Sequence, residues 1–94
     1  MLNEVREKVR SRLRKVAGQV EGIERMVSED RYCVDVLHQI AAAQAALDKA
    51  GKIVLGAHVD TCVATAMESG DSQERKRKLE ELMEVFARFG QIRS

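Results

Sequence analysis

Apolar residues recur at steps of three and four along almost the whole of this 94-residue chain, and no proline interrupts them. That period belongs to one face of a helix, so the pattern predicts an all-α chain. A first helix is expected over about residues 3–27, with Val5, Val9, Leu13, Val16, Val20, Ile23 and Val27 on one stripe. Gly18 and Gly22, four apart, would let another helix approach closely. Ser28-Glu29-Asp30 then offers capping side chains for a second, unusually long helix over about residues 31–67. Its stripe runs through Cys33, Leu37, Ile40, Gln44, Leu47, Gly51, Val54, His58 and Cys62, like a coiled-coil seam. Gly51 and Gly56 weaken it and make a kink there reasonable. Ser69-Gly70-Asp71-Ser72 separates it from a short third helix, where Asp71 and Glu74 fit a capping box. Leu79, Leu82, Met83, Phe86 and Phe89 form the apolar face of that helix, and Gly90 is its expected stop.

Three helices in 94 residues make one domain, 1–94, with a thin core. Only two Phe and one Tyr are available, with no Trp, and a third of the residues are charged. A chain this small buries little on its own, and helices of this composition pack between copies, so a homo-oligomer is expected. No signal-peptide pattern and no membrane-spanning apolar run is visible, which places the chain in the cytoplasm. Thiols stay reduced there, so Cys33 and Cys62 are poor candidates for a structural disulfide.

His58 and Cys62 stand four apart, one turn along the same face. Two soft thiolates with one imidazole suit Cu(I) or Zn(II). The second thiol is Cys33, 29 positions before Cys62 and therefore roughly 43 Å away along a continuous helix. One chain cannot close such a site. Two antiparallel copies can, because a two-fold axis near Leu47 sets Cys33 of one chain beside His58 and Cys62 of the other and makes two equivalent sites. The run Ala41, Ala42, Ala43, Ala45 and Ala46 keeps the middle thin enough for that approach. Structural zinc normally takes four ligands, so three donors favour Cu(I). The bland alternative is that each Cys is a small core residue. His38 lies off the stripe and reads as a surface or structural residue.

Net charge is only +1, so any nucleic-acid affinity must be local. Arg6, Lys8, Arg10, Arg12, Arg14 and Lys15 crowd ten residues with Glu7 as the only acid, and Arg75-Lys76-Arg77-Lys78 forms a second cluster. Such a helix can neutralise phosphates, although a charge run is often only a solvated face. No helix-turn-helix unit is present. No nucleophile and base stand on separate elements around a pocket, so neither catalysis nor a small-molecule substrate is expected.

Gly18-Gln19-Val20-Glu21-Gly22-Ile23-Glu24-Arg25-Met26, Tyr32-Cys33-Val34-Asp35-Val36 with Gln39-Ile40, and His58-Val59-Asp60-Thr61-Cys62 together resemble the copper-sensitive operon repressor (CsoR) family. The likeness spans about residues 5–90. It implies an all-helical antiparallel dimer that pairs into a tetramer, binds operator DNA when metal-free and leaves it on binding Cu(I), derepressing copper-resistance genes. Cys33, His58 and Cys62 match the family's Cu(I) ligands, and Tyr32 matches a tyrosine that supports them. Glu81 resembles a supporting glutamate once a loop-length difference is allowed. Arg12 matches a DNA-contacting arginine, with Arg14 and Lys15 beside it. Lys49 stands where a second arginine is expected, so charge is kept and the bidentate fork is lost. Nickel and cobalt sensors of the superfamily recruit extra N-terminal His, formaldehyde sensors lack the second Cys, and persulfide sensors lack the intervening His. The alternatives left open are a persulfide- or thiol-sensing repressor and a cytosolic copper-binding protein without DNA binding.

Overall fold

The computed structural model describes residues 1–68 and 70–90, the side chains at 62, 63, 66 and 90 excepted. Ser69 lies outside the described residues. The chain forms α1 (Asn3–Ser28), α2 (Cys33–His58), a five-residue π-helical turn (Val59–Val63), α3 (Ala64–Glu68) and α4 (Ser72–Gly90). Backbone dihedrals stay right-handed helical from His58 through Ala64, so α2, the π turn and α3 form one continuous path. Three helical stretches thus make up the fold, as the periodicity predicts, and none is long and apolar enough among the described residues to cross a membrane. α1 lies along α2, while α4 packs on α2, α3 and the π turn, giving an elongated body of 59 × 27 × 19 Å.

The junction between α1 and α2 is built differently from the expectation. Ser28, Glu29 and Asp30 do not cap α2; they finish α1. Asp30 adopts a left-handed φ of 56°, its N–H donates to Val27 O at 3.1 Å, and the Arg31 N–H donates to Met26 O at 3.0 Å. Those two bonds are the 5→2 and 6→1 closures of a Schellman motif, which satisfy carbonyls at the end of α1. The Ser28 hydroxyl turns back to Glu24 O at 3.0 Å. α2 accordingly starts two residues late, at Cys33, with Tyr32 at its cap position and no side-chain cap bond. At α4 the N-cap half of the expected box is seen: Asp71 Oδ1 accepts from the Gln73 N–H at 3.0 Å, while the Glu74 carboxylate pairs with Arg77.

On each helix the inward face overlaps the expected stripe without coinciding with it. On α1 Val5, Val9, Arg12, Val16, Gln19, Ile23 and Met26 are buried or half-buried in a four–three alternation, with Gly22 half-buried beside Ile23. Leu13, Val20 and Val27, expected in that stripe, stand exposed, the last two by 53 and 62 %. Counting apolar residues missed this because two members of the true seam, Arg12 and Gln19, are polar. On α2 the inward positions include Val36, Ala43, Ala46, Ala50, Ile53, Leu55 and Ala57, and the short alanine side chains among them let α1 approach. The expected stripe on α2 is turned outward over its first half, with Leu37 61 % and Leu47 50 % exposed, while its members Gly51 and Val54 are half-buried. On α4 Leu82, Val85 and Phe89 turn inward and Leu79, Met83 and Phe86 remain exposed.

Two glycine expectations also change. Gly18 and Gly22 face nothing within 4 Å in the chain, so they serve no close approach inside it. Gly51 does: a Cβ there would lie 2.5 Å from Cε1 of Phe89, so its missing side chain admits the α4 ring.

Candidate metal centre and nucleic-acid surface

Cys33 is the first residue of α2 and is exposed, free of any disulfide. Tyr32 precedes it, 68 % exposed, and its carbonyl accepts the Val36 N–H at 3.2 Å. His58 is the last residue of α2, also exposed. The two therefore occupy opposite ends of a 26-residue helix, roughly 38 Å apart. Within one chain no three His, Cys, Asp or Glu side chains among the described residues are grouped to hold a metal ion. The backbone of Cys62 is described within the π turn, and its side chain lies outside the described residues.

The π turn begins immediately after His58 and contains Cys62. Its sequence explains it. Val59, Thr61, Val63 and Thr65 are β-branched at alternate positions, which weakens the α-helical preference. A π turn also moves its N–H donors one residue further along, from i+4 to i+5. The Thr61 hydroxyl reaches back to Ala57 O at 3.2 Å and His58 O at 3.4 Å, and the Thr65 hydroxyl to Thr61 O at 2.8 Å. These bonds supply donors where the backbone ladder is stretched. Sequence reasoning ran an unbroken α-helix through here; the alternating β-branched residues were the available signal. Such turns recur at functional sites.

Glu81 is exposed on α4, the helix that packs on the π turn. No hydrogen bond among the described residues joins it to His58 or Tyr32 within one chain. His38 is exposed, which is the surface reading of the two.

The basic run divides by its partners. Arg6 is held by Asn3 Oδ1 at 2.9 Å and Arg10 by Glu7 at 3.3 Å. Arg14, Lys15 and Lys49 are exposed and Arg12 is half-buried, and none of the four has an ion pair or side-chain hydrogen bond among the described residues. The second cluster is less open than its sequence suggests. Arg77 pairs with Glu74, and Arg75 and Lys78 are half-buried, leaving Lys76 exposed.

The candidate donors Cys33 and His58 are thus split between the ends of α2, beside a basic helix whose Arg14 and Lys15 carry no ion pair among the described residues. A family model described as a metal-sensitive transcriptional repressor matches residues 5–88. The chain belongs to this family. It is similar to the copper-sensing transcriptional repressor CsoR of Bacillus subtilis (strain 168), 43 % identical over 84 residues, covering 89 % of this chain and 80 % of that protein. CsoR of Mycobacterium tuberculosis (strain ATCC 25618 / H37Rv) is 41 % identical over 75 residues, and the match spans 80 % of this chain and only 60 % of that relative. Among solved structures, the Cu(I)-containing copper-sensing repressor CsoR from Geobacillus thermodenitrificans NG80-2 superimposes with a TM-score of 0.80 at 38 % identity, covering 97 % of this chain and 92 % of the other. The nickel-responsive regulator InrS gives 0.70 at 35 %, over 88 % and 90 %. Members of this metal-sensitive repressor family are regulators of transcription, not catalysts.

Proposed function

We propose that this chain, a single domain over 1–94, is a cytoplasmic Cu(I)-sensing repressor that holds operator DNA when metal-free and releases it on binding Cu(I), derepressing copper-resistance genes. It is neither an enzyme nor a receptor for a small-molecule substrate. The observation that carries the reading is the placement of Cys33 and His58 at opposite ends of α2, with Cys62 four residues beyond His58. Two chains pairing α2 antiparallel bring Cys33 of one against His58 and Cys62 of the other, and they do so twice. The outward stripe of Leu37, Ile40 and Leu47 is the apolar surface such a pairing needs, and two such dimers associate into the tetramer.

Two thiolates and one imidazole fit Cu(I), a soft ion at home in three-coordinate sites, better than zinc. When bound, Cu(I) supplies a bridge between chains. Cys33 anchors the start of one α2, and His58 and Cys62 anchor the far end of its partner. The second ring nitrogen of His58 is left to hydrogen-bond outward, with Tyr32 and Glu81 as its supporting partners. Arg12, Arg14, Lys15 and Lys49 contact the DNA backbone, and the closed site disfavours the tetramer surface that presents them.

A gel-shift titration with operator duplex tests this. Metal-free protein is expected to bind, and Cu(I) to weaken binding by about 5- to 150-fold, the usual range for an allosteric coupling. Failure of the metal-free protein to bind at low salt rejects the repressor and leaves a copper-binding protein. Release by persulfide with no response to Cu(I) makes it a thiol sensor.

A further inference from the structure

Arg12 and Gln19 are seven residues apart in the α1 seam, the polar exceptions in an otherwise apolar row. Both are half-buried, and neither has a side-chain hydrogen bond or ion pair among the described residues. A polar group drawn off the surface without a partner is a cost to the fold, and local rules are usually broken where function needs it. With Lys15 from the next turn, they line a groove of about 330 Å³ between α1 and α2, floored by Ala46. No acidic side chain lines it. Lys49 stands one turn further along α2, and Arg14 is not among the lining residues.

We propose that this groove seats one backbone phosphate of duplex DNA, with Arg12 and Lys15 as its charges and Gln19 as a neutral N–H donor. This rests on the repressor reading and extends it to a residue that charge alone does not mark. Arg12 offers a planar fork and Lys15 a point charge, while the Gln19 amide supplies a donor. Ala46 keeps the floor low, so a phosphate can sink between the helices. Phosphate contacts set register and carry no base information. The Gln19 contribution is therefore the same on operator and non-operator duplexes.

Equilibrium DNA binding by the metal-free full-length protein, measured over a salt series, tests the groove. Gln19→Ala is expected to weaken binding about tenfold or more, the scale of a hydrogen bond to a charged group, with an unchanged slope of log affinity against log salt. Arg12→Ala and Lys15→Ala each reduce that slope, because each removes a released counterion. Gln19→Glu, which puts a charge of the wrong sign in the groove, loses more than Gln19→Ala. Ala46→Leu fills the floor and also weakens binding; the Gln19 variants carry the test if it unfolds. Wild-type affinity in both Gln19 variants overturns the proposal and leaves the repressor reading intact. A wild-type protein that binds no duplex rejects the repressor reading itself, and the groove with it. Inorganic phosphate at millimolar levels is expected not to raise the Tm of the wild type. A rise abolished by Gln19→Ala identifies a site for free phosphate and overturns the assignment to DNA.

Discussion

At the scale of single residues, the left-handed Asp30 is the position where sequence and backbone disagree most. An L side chain in that region costs about 1–2 kcal/mol, and only Gly avoids the cost, with some loss to the entropy of the unfolded chain. Asp30→Gly is therefore expected to stabilise by about 0.5–1 kcal/mol, raising Tm by about 2–8 °C in a thermal melt followed by circular dichroism. A lower Tm would mean that the Asp30 carboxylate has a role beyond the turn. The same stretch shows what could and could not be read in advance. Ser, Glu and Asp are helix-capping types, and the break between helices was legible from them. Which helix they serve was not, because the closure is made by backbone groups of Arg31 and Met26 that carry no side-chain signature. Asp71 was legible because its cap is a side-chain bond.

At the scale of helices, α4 is positioned by one ring meeting one missing side chain. Gly51→Ala places a methyl where the Phe89 ring stands. Overpacking of this kind typically costs about 1–3 kcal/mol, more than the helix gains from alanine. The expected result is a lower Tm and faster amide exchange in α4, with partial recovery on adding Phe89→Leu. An unchanged exchange rate would show that α4 is not held there. Sequence reasoning marked Gly51 as a weakness in the helix and had no means of pairing it with a ring 38 positions later. It did find the three helical stretches. The π turn after His58 escaped because period counting assumes a constant number of residues per turn. The α1 seam escaped for a related reason: Leu13 and Val20 score as core and Arg12 and Gln19 do not, yet the packing reverses them.

At the scale of the whole molecule, the separation of Cys33 from His58 was fully legible, since it follows from helix rise alone. What closes the gap can be tested without a structure of the assembly. Co-expressed Cys33→Ala and Cys62→Ala chains, each deficient alone, should recover about one tightly held Cu(I) per heterodimer under a competing chelator. One of its two sites then keeps Cys33 from the second variant and His58 and Cys62 from the first. A purified heterodimer with no such Cu(I) would exclude the antiparallel pairing.

Among the described residues only Val9, Val16, Ala43, Ala50 and Leu55 are buried hydrophobic side chains. A solitary chain of this kind has little to hold it together, and on the proposed antiparallel pairing the partner would complete the core as well as the copper site. Folding, assembly and metal capture then share one law of mass action. On that proposal the copper level at which the promoter opens would depend on how many copies of the regulator the cell keeps, so the abundance of the sensor would become part of its calibration.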